Sequence, residues 1–300
     1  MSLAPLSVFE IASQKAGQDL YRIQVLSEQG GNISNSFGMN VFTQRMQDGD
    51  FDTILVGSAS QISPAGLPTL NFLRRSVGQC RRIASVCAGV FTLAESGVLD
   101  GRRATTHWSL SRELQERYPK IKVEPDRIFV ADGPFWTSAG MTAGIDLALG
   151  LVERDAGSDV ARQTAKELVV HCRRTGGQSQ LSAMLELDAK SDRVQEVLVF
   201  ARKHLHEELT VDRLAEVARL SPRQFSRVFR IETGHPPARA IEKLRLEAAR
   251  LMLEQGRIPV EEIARITGFG DAERMRRSFH RGFGRTPQAL RISQQPALEL

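Results

Sequence analysis

Val211-Asp212-Arg213-Leu214-Ala215-Glu216-Val217-Ala218, a break, then Phe225-Ser226-Arg227-Val228-Phe229 decides the fold of the C-terminal part, because the chain repeats it. The second version is Val260-Glu261-Glu262-Ile263-Ala264-Arg265-Ile266, Gly268, then Met275-Arg276-Arg277-Ser278-Phe279. The two align at an offset of 49 before the break and 50 after it. Both close on the same punctuation, Gly234-x-x-Pro237 and Gly284-x-x-Pro287. A repeat of two short helices, the second with arginine on one face, predicts two helix-turn-helix units that contact DNA at two places.

Ser221-Pro222 is a helix start: Ser as N-cap, and Pro where its missing N–H costs nothing. That register puts Arg223, Ser226, Arg227 and Arg230 on one face and Phe225, Val228 and Phe229 on the other. Asp271 takes the capping role in the second unit. It leaves Glu273, Arg274, Arg276, Arg277 and Arg281 outward, and Met275, Phe279 and Phe283 inward. Between the units, Pro237 opens a helix expected to run through Gln255, with Ile241, Leu244, Leu246, Leu251 and Met252 apolar. A continuous helix there would hold both units for successive major grooves about 34 Å apart.

Charge agrees with this division. The chain of 300 residues carries a formal +5 and a pI near 9.4. Residues 206–291 hold 17 Lys+Arg against 12 Asp+Glu, which leaves 23 against 23 elsewhere. The whole excess therefore lies on the repeated unit, where release of counterions from phosphates uses it. Sixteen of those 17 cations are Arg, suited to bidentate contacts with phosphate and guanine.

The first 173 residues alternate strand-like and helix-like segments, which predicts a doubly wound α/β domain of flavodoxin-like order. Strands are expected at 21–27, 51–56, 82–86, 102–106, 121–124 and 127–131. Helices are expected at 6–15, 67–77, 88–96, 110–117, 141–154 and 158–172. Residues 174–191 turn polar and Gly/Gln/Ser-rich and read as a linker. The double helix-turn-helix domain then occupies 192–291, and 292–300 form a frayed tail.

Arg82-Ile83-Ala84-Ser85-Val86-Cys87-Ala88-Gly89 runs from a strand abruptly into a helix, with Cys87 at the bend. Such an elbow thrusts the thiol up at a helix N-terminus, where the dipole favours thiolate. Thr105-Thr106-His107-Trp108 follows another strand, and both segments belong at the carboxyl edge of the sheet, where ligands bind. Cys87 and His107 are thus candidates for a dyad. Gly57-Ser58 offers a backbone N–H opposite that of Ala88, as an oxyanion hole would. The candidate ligand cleft comprises Gly57, Ser58, Cys87, Ala88, His107 and Trp108. Core packing is the expected role of Trp108 and Trp136, and Cys80 and Cys172 read as ordinary buried residues.

Residues 192–291 resemble the DNA-binding domain of the AraC/XylS regulators. Ile263-Ala264-x-x-x-Gly268-Phe269 through Phe279-x-x-x-Phe283-Gly284-x-x-Pro287 carries that resemblance. It implies base reading by Arg223, Ser226 and Arg227 from the first unit. From the second it implies Ala272, Glu273, Arg274, Arg276 and Arg277. Arg230, Lys243, Arg245 and Arg281 are then expected at phosphates. Residues 3–170 resemble the class I glutamine amidotransferase-like superfamily of PfpI and ThiJ type, through Val86-Cys87-Ala88-Gly89 and Thr105-Thr106-His107. The whole chain is similar to GlxA-type regulators, in which this α/β fold serves as a sensor. The resemblance implies an activator of transcription with double-stranded DNA, RNA polymerase and a small-molecule effector as partners. An amino-acid or quaternary-amine metabolite is the permitted effector class, and a homodimer is expected.

Enzymatic relatives orient the cysteine with an early acidic residue. The matching stretch here, Ser2-Leu3-Ala4-Pro5-Leu6-Ser7, has none, and catalysis lacks its third member. The expectation is therefore no enzyme and no cofactor. A cysteine-dependent amidase, hydrolase or lyase with an accessory helical domain stays open as the rival. Three cysteines are too few and too scattered for a disulfide framework or zinc site. No apolar run of membrane-spanning length and no secretory signal occurs, so the cytoplasm is the expected location. Relatives also place a strand before the helix that here starts near Leu3. Losing that central strand would split the sheet, and the expectation is a start upstream or a truncated chain.

Overall fold

The computed structural model describes residues 4–35, 38–57, 62–170, 174, 176, 180, 183, 187, 189, 191–254 and 258–292. They form two compact units, Met1–Gln180 and Leu181–Leu300.

The N-terminal unit opens with α1 (Ala4–Ala16), followed by the short strands β1 (Leu26–Ser27), β2 (Gly31–Ser34) and β3 (Asn40–Arg45). Then come β4 (Thr53–Val56), α2 (Leu67–Ser76), β5 (Arg82–Val86), α3 (Gly89–Glu95) and β6 (Arg103–Ala104). A 3-10 turn (Trp108–Leu110) leads to α4 (Ser111–Arg117), β7 (Lys122–Val123), β8 (Phe129–Asp132), β9 (Phe135–Ser138) and α5 (Met141–Glu167). Gly157, at φ 84°, breaks α5 where the sequence predicts two helices.

The main sheet has the order β4-β5-β9-β8, parallel except for the edge strand β8. Every residue of β5 is buried, as a parallel strand covered on both faces requires. Alternation divides its neighbours between two cores. Ile83 and Phe135 join Phe72, Leu73 and Phe91 on one side, while Ala84 and Trp136 join Val8, Phe9, Leu147 and Leu151 on the other. These layers are the doubly wound α/β architecture.

Strand β9 is absent from the sequence reading, although it lies beside β5 in the core. The register Asp132↔Phe135 leaves Gly133-Pro134 as a two-residue loop, with Gly133 at φ 60°. A two-residue loop with glycine at its first position and positive φ is a type II′ hairpin signal, so this strand pair has a local mark in the sequence. The hairpin of β2 and β3 carried no such signal, since its residues are mostly exposed and polar. Of the strand expected over 21–27, only Leu26–Ser27 pairs. Among the described residues the β structure is divided. Strands β1, β3 and β2 form a separate sheet, β6 and β7 another, and β1 and β4 do not pair.

The C-terminal unit is helical: α6 (Asp192–Lys203), α7 (Val211–Val217), α8 (Pro222–Thr233), α9 (Pro237–Glu254), α10 (Val260–Ile266), α11 (Ala272–Phe283) and α12 (Pro287–Ile292). Residues 255–257 and the tail 293–300 lie outside the described residues, as does Cys172. Helix α9 separates two cores. Its Ala240, Ile241 and Leu244 pack with Phe225 and Phe229, whereas Leu246, Ala249 and Leu253 pack with Met275 and Phe279.

Candidate DNA interface and sensor cleft

Each helix-turn-helix is built by its caps. Ser221 accepts from the Gln224 N–H while the Gln224 side chain reaches back, and Pro222 occupies the first turn of α8. Asp271 accepts from the Arg274 N–H at 2.7 Å at the head of α11. Both second helices end on a left-handed glycine, Gly234 at φ 72° and Gly284 at φ 65°, and a proline opens the next helix. The repeated Gly-x-x-Pro is thus a helix stop followed by a helix start.

The change of offset also has a physical origin. Helices α7 and α10 both end in a left-handed residue, Arg219 at φ 54° and Gly268 at φ 78°. Two residues then lead to Asp271 (Phe269-Gly270), whereas only Leu220 leads to Ser221. The extra residue is Gly270, itself at φ 84°.

These caps set the faces. On α8, Phe225 and Phe229 are fully buried, Val228 is partly buried, and Arg223, Arg227 and Arg230 are exposed with Ser226 half-exposed beside them. On α11, Met275 and Phe279 are fully buried, Glu273, Arg274, Arg276, Arg277 and Arg281 are exposed, and Ala272 is half-buried. The two arginine faces differ in their internal ties. Arg276 makes a two-pronged pair with Glu273, both contacts at 2.8 Å, and Arg277 stands 4.0 Å from the same carboxylate. The Arg276 hydrogen bond holds the Glu273 carboxyl below its ordinary range. Arg281 is tied back to Glu242 of α9 at 2.6 Å and to Ser278 at 2.9 Å.

Arg245, expected at a phosphate, instead faces inward from the middle of α9. It donates to the carbonyls of Leu205 at 3.2 Å and Glu207 at 2.8 Å. Burial, then the charge of Arg274, lowers its pKa from the ordinary arginine value. The register of Arg245, four residues after the buried Ile241 and four before the buried Ala249, already places it within the apolar stripe, although spacing alone does not name the carbonyls it meets.

At the carboxyl edge of the main sheet, Cys87 adopts φ 55°, the left-handed conformation an elbow demands. Its N–H donates to Ser138 O at 3.0 Å and its carbonyl accepts from Thr106 Oγ1 at 3.0 Å. The start of α3 presses on the end of β4: a β-carbon on Gly89 would lie 2.4 Å from Val56 O and 3.2 Å from Gly57 O. Gly57, Cys87 and Ala88 are therefore brought together, while Ser58 lies outside the described residues. The expected dyad is not formed. The His107 ring pairs through Nδ1 with the Ser109 hydroxyl at 2.8 Å, and among the described residues no hydrogen bond joins it to Cys87. Trp136 is buried as expected, but Trp108 is 55 % exposed beside the His107 ring, not packed in a core.

Residues 3–154 match the DJ-1/PfpI family, and residues 214–292 match a helix-turn-helix domain family. The chain is 32% identical over 276 residues to the HTH-type transcriptional regulator CdhR of Pseudomonas aeruginosa, covering 90% of this chain and 81% of that protein. It is 28% identical to the HTH-type transcriptional regulator GlxA of Rhizobium meliloti, over 93% of this chain and 88% of the relative. An isonitrile hydratase of Pseudomonas putida is 39% identical over 119 residues, 39% of this chain and 51% of the enzyme. No helix of the described residues is long and apolar enough to cross a membrane. The chain belongs to the DJ-1/PfpI family and, within it, to the HTH-type transcriptional regulators that join this α/β domain to an AraC-type helix-turn-helix domain.

Proposed function

We propose that this regulator activates transcription from the cytoplasm by reading an asymmetric DNA site, under control of a small molecule bound at the carboxyl edge of its α/β unit. The observation that carries the reading is the pair of unlike arginine faces on α8 and α11, joined by the continuous helix α9. Arg223, Ser226 and Arg227 read bases from α8, and Ala272, Glu273, Arg274, Arg276 and Arg277 read from α11. Arg230 and Arg281 contact phosphates, Arg281 by exchanging Glu242 for the DNA. Unlike faces favour unlike half-sites, so one chain covers two successive major grooves without a palindrome.

The effector occupies the cleft of Gly57, Cys87, Ala88, His107 and Trp108 and belongs to the amino-acid or quaternary-amine class. The exposed Trp108 supports a cationic ligand, because an indole face attracts an ammonium group. The regulator acts as a homodimer and recruits RNA polymerase. Its role is regulatory rather than enzymatic, a reading supported by the HTH-type transcriptional regulators among its relatives.

The experiment is a mobility shift on the DNA upstream of the protein's own gene with Arg227→Ala and Arg276→Ala. Each variant is expected to lose about tenfold or more in specific affinity and less on random DNA. Parental binding by both variants would overturn the assignment. No turnover of an isonitrile is expected from the purified protein; turnover abolished by Cys87→Ala would favour the enzymatic rival.

A further inference from the structure

Gln180, the last residue of the N-terminal unit, is held by its side chain in a niche between two loops. Its Oε1 accepts from the Trp108 N–H at 2.8 Å, and its Nε2 donates to Thr106 O at 2.7 Å and Pro125 O at 2.9 Å. Thr105 Oγ1 lies 3.5 Å from the same nitrogen, and the Gln180 backbone N–H donates to Asp126 Oδ1 at 3.0 Å. The loops follow the parallel strands β6 and β7, so the niche lies at their carboxyl ends and includes the backbone of Trp108. It presents one N–H donor and two carbonyl acceptors. A primary carboxamide presents the complement, one acceptor oxygen and two N–H donors, and no carboxylate or hydroxyl does.

The same residue sits on the only covalent route between the units. Upstream, Arg174 is fixed through its backbone N–H and guanidinium to the buried Asp146, and to Thr142. Downstream, the Ala183 N–H is taken up within the C-terminal unit by Glu247 at 3.1 Å. Among the described residues, Gln180 is thus the last of the α/β unit before the connection to the C-terminal unit.

We propose that this niche is a primary-carboxamide site filled by the chain's own Gln180, and that a small molecule bearing –CO–NH2 displaces it and alters DNA binding by freeing the connection. This rests on the effector-controlled DNA binding proposed above and narrows its trigger to an amino-acid-class ligand that carries a primary carboxamide, excluding a simple quaternary amine. Gln180 is then a positioning residue: it touches neither DNA nor the cysteine.

The test uses the full chain, its Gln180→Ala and Gln180→Glu variants, and propionamide as a free copy of the side-chain head, with propionate as the control of equal shape. Amide hydrogen exchange at Trp108 reads the niche, and anisotropy of labelled upstream DNA reads the output. Gln180→Ala is expected to speed Trp108 exchange by about tenfold. Propionamide, and not propionate, should restore that protection. Gln180→Ala should shift specific DNA affinity at least about threefold, and saturating propionamide should move the parent the same way. Unchanged Trp108 exchange in both variants, equal action of amide and carboxylate, or unchanged DNA affinity would each overturn the proposal. If the parent binds no specific DNA, the regulatory reading fails, while Trp108 exchange still decides whether the niche is an amide site.

Discussion

Gly268 packs its bare α-carbon against the carbonyl oxygen of Leu205, where a β-carbon would stand 1.8 Å from that oxygen. The same carbonyl accepts from Arg245 Nε, which itself would be 2.8 Å from such a β-carbon. The turn of the second helix-turn-helix is therefore seated on the backbone that precedes the first, with the middle of α9 between them. Gly268→Ala adds both a clash and a left-handed alanine, and should cost about 2–4 kcal/mol. Thermal unfolding of the full chain should show the loss, together with weaker specific DNA binding. An unchanged melting temperature would mean that the contact is not made.

Arg219 occupies the equivalent left-handed position of the first unit, at φ 54°. A non-glycine residue there bears a steric cost that glycine avoids. Arg219→Gly is expected to stabilise the protein by about 0.5–1 kcal/mol, after allowing for the greater freedom of glycine in the unfolded chain. Gly268→Arg should do the opposite. Calorimetry on the pair separates a shared backbone conformation from a contact peculiar to the second unit.

The repeat made the C-terminal unit legible almost residue by residue, because caps and apolar periodicity are local signals. Ser221, Asp271, Gly234 and Gly284 all act where their residue types predict. Arg245 was misplaced because its destination, two carbonyls about forty positions earlier in the chain, is a tertiary fact. In the α/β unit, β5 and the elbow at Cys87 followed from composition, while β2 and β3 pair through their backbones and carry no apolar alternation. The ring of His107 turns to Ser109, two residues away, and no spacing in the sequence ranks that bond against one to Cys87.

The foot of β5 carries a buried polar network with a pH signature at each end of the scale. Asp155 accepts from Arg82 on both oxygens, from Tyr21 Oη at 3.0 Å and from Arg81 at 2.8 Å. Burial raises the Asp155 carboxyl, but Arg82, Tyr21 and Arg81 outweigh it and hold it below its ordinary value. Its stabilising effect is therefore present above about pH 4 and lost as pH falls through the lowered value. Burial first, then the Asp155 charge and hydrogen bond, raises the Tyr21 phenol. That contribution is complete below about pH 10 and lost as pH climbs toward the raised value. Tyr21→Phe should flatten the alkaline limb of melting temperature against pH and, by removing one of the bonds that lower Asp155, also make the acid limb shallower. Asp155→Asn should cost about 3 kcal/mol at neutral pH by leaving Arg82, only 6 % exposed, without its counter-charge.

Glu273 is the one carboxylate on the outward face of α11, and it holds Arg276 in a two-pronged pair with Arg277 4.0 Å away. A carboxylate near phosphates opposes binding, unless it is pointed at a cytosine amino group, where it discriminates. Glu273→Gln removes one negative charge and frees the Arg276 guanidinium. Affinity for random DNA should rise several-fold, and the slope of log K against log salt should steepen by about one. Affinity for the specific site should rise less or fall, because Arg276 loses the partner that fixes its direction and the base edge loses an acceptor. The specific-to-random ratio should therefore drop by about tenfold. Titrations on both DNAs at several salt concentrations give the slope and the ratio together. If the ratio holds while both affinities rise in parallel, Glu273 acts only through its charge, and base reading on this helix belongs to the arginines alone.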